Sequence, residues 1–369
     1  MGFFDFFKKK PEKEFIAVPS NLGQVREEEI ADVARERNKN AFPSKNGLQP
    51  GEIILLSHAP KFMTNQTEFP EYWLYEYGLD DPKTVLSRLF EKGFIELASP
   101  KETLNLFKVP ELKKICAEHG LKVSGRKAEL ISRISDTLTD EEVEKLLPDR
   151  SYVLTEAGKK EINDNHYIFD IGRGKYGFDF WDVNQGTGEK GFQYYRDFIW
   201  GELNKQTISA MKGYGHGPDY RLLGRIYKNM ADLVFDEKRY GSAMNCLTMQ
   251  VLCEINYTDI DARQIDIASE KIDKKAKVNN PYIAPSFKES FNVYPEKFLL
   301  IQQYLEKSFD DFEYDLIGYF TKMKLPSYLV HPAVLARLII SLMKKDNKTA
   351  NETYKMMEKE FKKIKNDYI

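Results

Sequence analysis

Between Asp81 and Leu97 the apolar residues Val85, Leu86, Leu89 and Phe90 recur at three- and four-residue spacing, and the pattern then changes to alternation in "FIEL". The first period is that of a helix with one face on a core, the second that of a short strand. Asp81 and Pro82 supply a cap and a first turn, and Gly93 a stop. Further on, "SYVLTEAGKKEI" predicts a second strand, Tyr152 to Leu154, and a helix that Thr155 caps. Between these halves lie two shorter helical faces, Leu112, Ile115 and Cys116, then Leu130, Ile131 and Ile134. Gly120 ends the first helix, Leu121 and Val123 point inward from an extended link, and Ser124 caps the second helix. With Val109 these residues fill a very small core.

The flanks read differently. Residues 1–50 are a polar arm with one helix in "GQVREEEIADVARERNK", whose Val25, Ile30 and Val33 are too sparse to build a core alone. Residues 166–192 mix aromatic, strand-like pieces with glycine turns and read as a linker. From there the period is helical, with segments expected near Phe192–Met211, Tyr220–Val234, Tyr240–Ile255, Asp261–Ala276, Pro295–Phe309, Asp311–Met323, Pro332–Lys344 and Thr349–Lys365. The pattern thus predicts an α+β domain over 51–165 and a mainly α-helical domain over 193–369.

Charge changes this picture in one place. The chain carries 55 Lys and Arg against 57 Asp and Glu, so any nucleic-acid site has to be local. From Thr103 to Leu138 seven basic residues stand against four acidic ones, a local charge of +3. Arg126 and Lys127 fall at the start of the second short helix, where free N–H groups and the helix dipole favour an anion. Arg126 and Lys127 are therefore a phosphate site by construction, and Lys83, Arg88 and Lys92 on the preceding helix are candidate groove or backbone contacts.

"FKVPELKKICAEHGLKVSGRKAELISRI" closely resembles the SAP motif, a helix-extended-helix module of about 35 residues. Val109, Glu111, Leu112, Lys113, Gly120, Leu121, Ser124, Gly125, Lys127, Leu130 and Arg133 carry the resemblance. It implies DNA binding, mostly to the backbone at the start of the second helix, and so places Lys122, Ser124, Gly125, Arg126 and Lys127 at the contact; with Lys114 and Arg133 of the same module these are the candidate DNA-binding residues. Backbone contacts position a protein without reading sequence, so the implied binding is weak, salt-sensitive and unspecific. The flanking "TVLSRLFEKGFIEL" and "YVLTEAGKKEI" resemble the end of a winged helix-turn-helix domain, with the SAP-like module, expected over 103–138, inserted in the wing between Ala98 and Arg150. "YRLLGRIYKNMADLVFDEKRYGSAMNCL" resembles a tetratricopeptide helix pair near 220–254, without a second copy at the repeat period.

Other motifs promise less. "GRGKYG" and "GTGEKG" fit a lone glycine pattern, yet neither kinase signatures nor a G-x-x-x-x-G-K-[ST] frame accompanies them. The five histidines are scattered and the three cysteines form no C-x-x-C pair, so neither a metal nor a cofactor is expected. His216 beside Asp219 lacks a nucleophile, and Cys246 and Cys253 share a helical face as core residues do. The absence of a long apolar run and the few cysteines lead to an expectation of a cytoplasmic protein. "MGFFDFFKKK" suits a membrane or partner contact, with a frayed terminus as the plain alternative. The Phe-rich start together with the SAP-like module is reminiscent of proteins from Gram-positive bacteria and their phages. The expectation is a non-enzymatic DNA-associated protein whose helical domain contacts protein partners. The alternatives are a docking scaffold with no direct DNA role and an enzyme with a site near Gly172–Gly191.

Overall fold

The computed structural model describes residues 22–172, 174–213, 217–256, 293–323 and 331–367. The proposed contact at residues 1–10, the helix expected over 261–276, and His216 lie outside them. The chain divides into two compact units, Met1–Phe169 and Asp170–Ile369.

In the first unit α1 (Leu22–Asn40) packs on the one-turn α3 (Tyr72–Tyr75). The expected arm is therefore part of the fold over its described residues. Its buried face is Ala31 and Ala34, while Ile30 and Val33 are exposed. Counting only large apolar residues hid a seam made of alanines, which let backbones approach closely.

The α2 helix (Pro50–His58) is buried along most of its length and packs against α4 (Pro82–Glu91) and α9 (Glu156–Asp164). Asp81 caps α4 by accepting from the Thr84 N–H at 3.2 Å, and Leu86 and Leu89 form its buried face. Phe90, expected inside, is exposed. Strand β1 (Ile95–Leu97) pairs antiparallel with β2 (Tyr152–Leu154), in the register Ile95 to Leu154, Glu96 to Val153 and Leu97 to Tyr152. Thr155 caps α9 by accepting from the Gly158 N–H at 3.1 Å and donates to the Gly93 carbonyl at 2.7 Å. Gly158 is required here, since a Cβ at this position would lie 2.1 Å from the Phe94 carbonyl oxygen.

Residues between the two paired strands leave and return at adjacent ends of the sheet. They form α5 (Pro100–Thr103), a turn at Leu104–Leu106, α6 (Val109–Glu118), α7 (Lys127–Thr137) and α8 (Asp140–Leu146). Polar contacts lock the stalk. Arg150 donates through Nε to the Ala98 carbonyl at 2.9 Å and through Nη1 to Glu144 at 2.9 Å. Buried Thr103 and Ser151 bond to each other, with the Ser151 N–H on Thr103 Oγ1 at 3.2 Å.

The second unit is helical in its described residues. It contains α10 (Tyr167–Ile171, beginning in the first unit), α11 (Phe180–Thr187), α12 (Tyr195–Lys212), α13 (Tyr220–Asp236), α14 (240–256), α15 (Pro295–Tyr304), α16 (Phe309–Lys322), α17 (Pro332–Met343) and α18 (Asn347–Asp367). The strand-like reading of 166–192 gives way to helices and turns. Asp179 caps α11 by accepting from the Asp182 N–H at 2.9 Å, and Phe180, Trp181 and Val183 are buried on that helix. Capping and burial outweigh the strand preference of aromatic residues in so short a segment. The α13 and α14 helices form a pair, with Gly224 facing Cys253 and with Leu223 and Ala243 inside.

Candidate nucleic-acid interface

The inserted helices surround one small core of Leu104, Leu112, Ile115, Cys116, Leu130, Ile134, Leu138, Val143 and Leu147. Val109, Leu121 and Ile131 pack against it from its edge. The last two buried residues come from or follow α8, so the core extends beyond the two helices legible in the sequence. The spacing of Leu138, Val143 and Leu147 and the Thr139-to-Glu142 capping box were the available signals. Thr139 Oγ1 accepts from the Glu142 N–H at 3.3 Å, and the Glu142 carboxylate accepts from the Thr139 N–H at 2.7 Å. These bonds hold the Glu142 carboxyl below its ordinary range.

The α6 helix carries Pro110 in its first turn and ends before Gly120, whose φ of +65° lets Leu121 N–H return to the Cys116 carbonyl at 2.7 Å. Leu121 points inward as expected. Val123 does not: it is 45% exposed, at the centre of a joint in which residues 122–129 are all exposed. Nor does Ser124 cap α7. The helix begins at Lys127, Arg126 takes the N-cap position with extended backbone, and the Arg126 N–H donates to Glu129 Oε2 at 3.2 Å. The link is two residues longer than the cap reading allows, and in place of a hydroxyl accepting from the first turn, a carboxylate within the helix accepts from the N-cap residue's own N–H.

The candidate cations fall into three groups. Lys127 and Arg133 are tied to main-chain carbonyls: Lys127 Nζ donates to Asn105 O at 2.6 Å, and Arg133 Nη1 to Lys122 O and to Ser124 O, the latter at 3.3 Å. The Arg133 bonds pin the link onto α7, the Lys127 bond ties α7 to the Leu104–Leu106 turn, and a neutral acceptor leaves the positive charge in place. Lys114 lies 3.8 Å from Glu118 across one helical turn, a pair exposed on both sides and worth little. Lys122 and Arg126 are exposed and form no ion pair among the described residues.

On α4 the outcome is mixed. Arg88 is paired with Glu52, whose side chain is only 10% exposed, which draws the guanidinium toward α2. Lys83 and Lys92 are exposed. Elsewhere, burial pushes the thiols of Cys246 and Cys253 up to about 11 and about 12, so neither is a thiolate at neutral pH. Asp219 is spent as a cap, accepting from the Leu222 N–H at 2.9 Å. Among the described residues no three His, Cys, Asp or Glu side chains come together as a metal site.

Comparison with known proteins bears on this module. Residues 103–139 match the family model of the SAP domain. A stretch of 69 residues, 19% of the chain, is 38% identical to an E3 SUMO-protein ligase, SIZ1, of Arabidopsis thaliana, and covers 8% of that protein. The similarity is thus to a small part of a much longer relative. No solved structure matches the chain. The segment 103–139 is a SAP domain, and a SAP domain supports association with DNA in general terms.

Proposed function

We propose, on the premise that residues 103–139 are a SAP domain, that the chain holds duplex DNA by its phosphate backbone at the joint from Lys122 to Lys127. The observation that carries this reading is the state of the cations there. Lys122 and Arg126 are exposed and unpaired among the described residues, beside the first free N–H groups of α7. Arg133 holds the link in shape and Lys127 is tied to the Leu104–Leu106 turn, both through carbonyls, which keeps four positive charges on a small surface. The contacts would be to phosphate and not to bases, so binding is weak, indifferent to sequence and steeply salt-dependent.

The element order α4–β1, then β2–α9, supports the further reading of a winged-helix frame with the SAP domain as its wing. In that frame Lys83 and Lys92 are secondary backbone contacts and Arg88 is a structural residue. The helical unit is proposed as the protein-contact half, which suits its exposed Ile208, Met211 and Tyr314. No enzymatic step and a cytoplasmic location complete the proposal.

The test is duplex binding by the full chain at low salt, followed by fluorescence anisotropy. Lys122→Ala with Arg126→Ala is expected to weaken binding by at least about tenfold and to lower the slope of log K against log salt by roughly 2. Unchanged affinity and slope in the double variant would remove the joint from the DNA contact.

A further inference from the structure

We propose that Glu129 is a built-in competitor for the phosphate position at the joint, setting the SAP domain in a low-affinity state. The proposal rests on the DNA-backbone reading above and concerns how that site is tuned. Glu129 Oε2 takes the Arg126 N–H at 3.2 Å, one of the free donors at the start of α7 that a phosphate oxygen would use. The carboxylate is folded back tightly over the link. Gly125 has a φ of +136°, and a Cβ there would sit 2.5 Å from the same Oε2. Glycine is what leaves the carboxylate room to close.

No ion pair joins Glu129 among the described residues, and Lys127 and Arg133 direct their donors to the carbonyls of Asn105, Lys122 and Ser124 and not to its carboxylate. An independent finding, the SAP match over 103–139, points to a nucleic acid as the ligand of this surface. A phosphate approaching Arg126 and Lys122 therefore meets one like charge among the cations. It binds fully only when the exposed Glu129 side chain swings out and releases the N–H. Four other helices of the first unit carry a carboxylate accepting from the N-cap N–H: Glu52, Glu102, Glu111 and Glu142. At α7 the same cap lies on the surface where an anion has to land.

The deciding measurement is anisotropy of a labelled DNA duplex with the full chain, comparing wild type, Glu129→Gln, Glu129→Ala and the Lys122→Ala, Arg126→Ala double variant. Glutamine keeps an oxygen acceptor for the Arg126 N–H and removes the charge. Both Glu129 variants are expected to bind about three- to tenfold more tightly at low salt, the gain shrinking at high salt as screening grows. Circular dichroism melting of each variant establishes that the fold is retained. If wild type binds and the double variant does not, while Glu129→Gln and Glu129→Ala bind no more tightly than wild type, the competitor role is overturned and the DNA site stands. If wild type fails to bind duplex even at low salt, the DNA reading itself falls, and this proposal with it.

Discussion

Two clusters of cations, one in each unit, use the same residue types in opposite ways. At the SAP joint, Lys127 and Arg133 donate to main-chain carbonyls, and Lys122 and Arg126 face solvent. Near the start of the second unit, Lys175 Nζ lies 2.9 Å from Asp236, to which the Tyr176 hydroxyl also donates at 2.5 Å. Arg196 Nε donates to the Tyr195 hydroxyl at 3.1 Å, and its Nη1 is 3.8 Å from Glu237, while Tyr195 donates to Asp170 at 2.9 Å. In the joint the charge is left over; in the second cluster carboxylates consume it. What satisfies a cation, more than its presence, decides whether it can serve a ligand.

The widest separation of the two regions comes from the core. Leu130→Ala removes a fully buried side chain from a module with few others and is expected to cost about 2–5 kcal/mol. Urea unfolding followed by a probe in each unit would show the module lost and the second unit unmoved. A simultaneous loss in both would break the picture of two independent regions. Next in size is the cap at α8: Thr139→Ala is expected to cost about 0.5–2 kcal/mol and to weaken the module without touching its basic surface. Thermal melts together with duplex binding measure both halves of that statement. Smallest is Lys175→Ala, a half-exposed ion pair expected to change stability by under about 1 kcal/mol and to leave DNA affinity unchanged. A drop in affinity there would erase the distinction between the clusters.

The pH response sharpens it further. Burial pushes the Asp236 carboxyl up, but the Tyr176 hydroxyl and Lys175 outweigh burial and hold it below its ordinary range. A group depressed in the folded state contributes stability that is present above the unfolded value and lost as pH falls through the folded one. Burial, with the bond to Asp170, pushes Tyr195 up to about 12, so its contribution is present below the unfolded value and lost as pH rises toward 12. The second cluster should weaken at both extremes, and Asp236→Asn should flatten the acid limb of a stability-against-pH curve measured by denaturant.

Much of the first unit was legible in the residues. Asp81, Gly93, Gly120 and Thr155 act as the local signals require, and Leu112, Ile115, Cys116, Leu130 and Ile134 are inside. Helical and strand periods report which side of an element is apolar, and caps report where it ends. The misreadings have one physical source each. Ala31 and Ala34 bury a helix without large side chains, Phe180 and Trp181 enter a helix through a cap and burial, and Val123 stays outside because the link is pinned by Arg133 from across the module. Arg150 and Ser151 gave no sign of being the stalk, since their partners Ala98 and Thr103 are near only after folding.

By itself the sequence determined the local vocabulary: a basic helix-extended-helix module, its core residues, and the strand and helix on either side. Those depend on neighbours a few positions away, which spacing and caps encode. Only the tertiary structure decided that the two strands pair around the module, that a third helix completes its core, and which cations remain free. Each of these depends on groups distant in the chain, where the acceptor that claims a charge, carbonyl or carboxylate, is chosen by the fold.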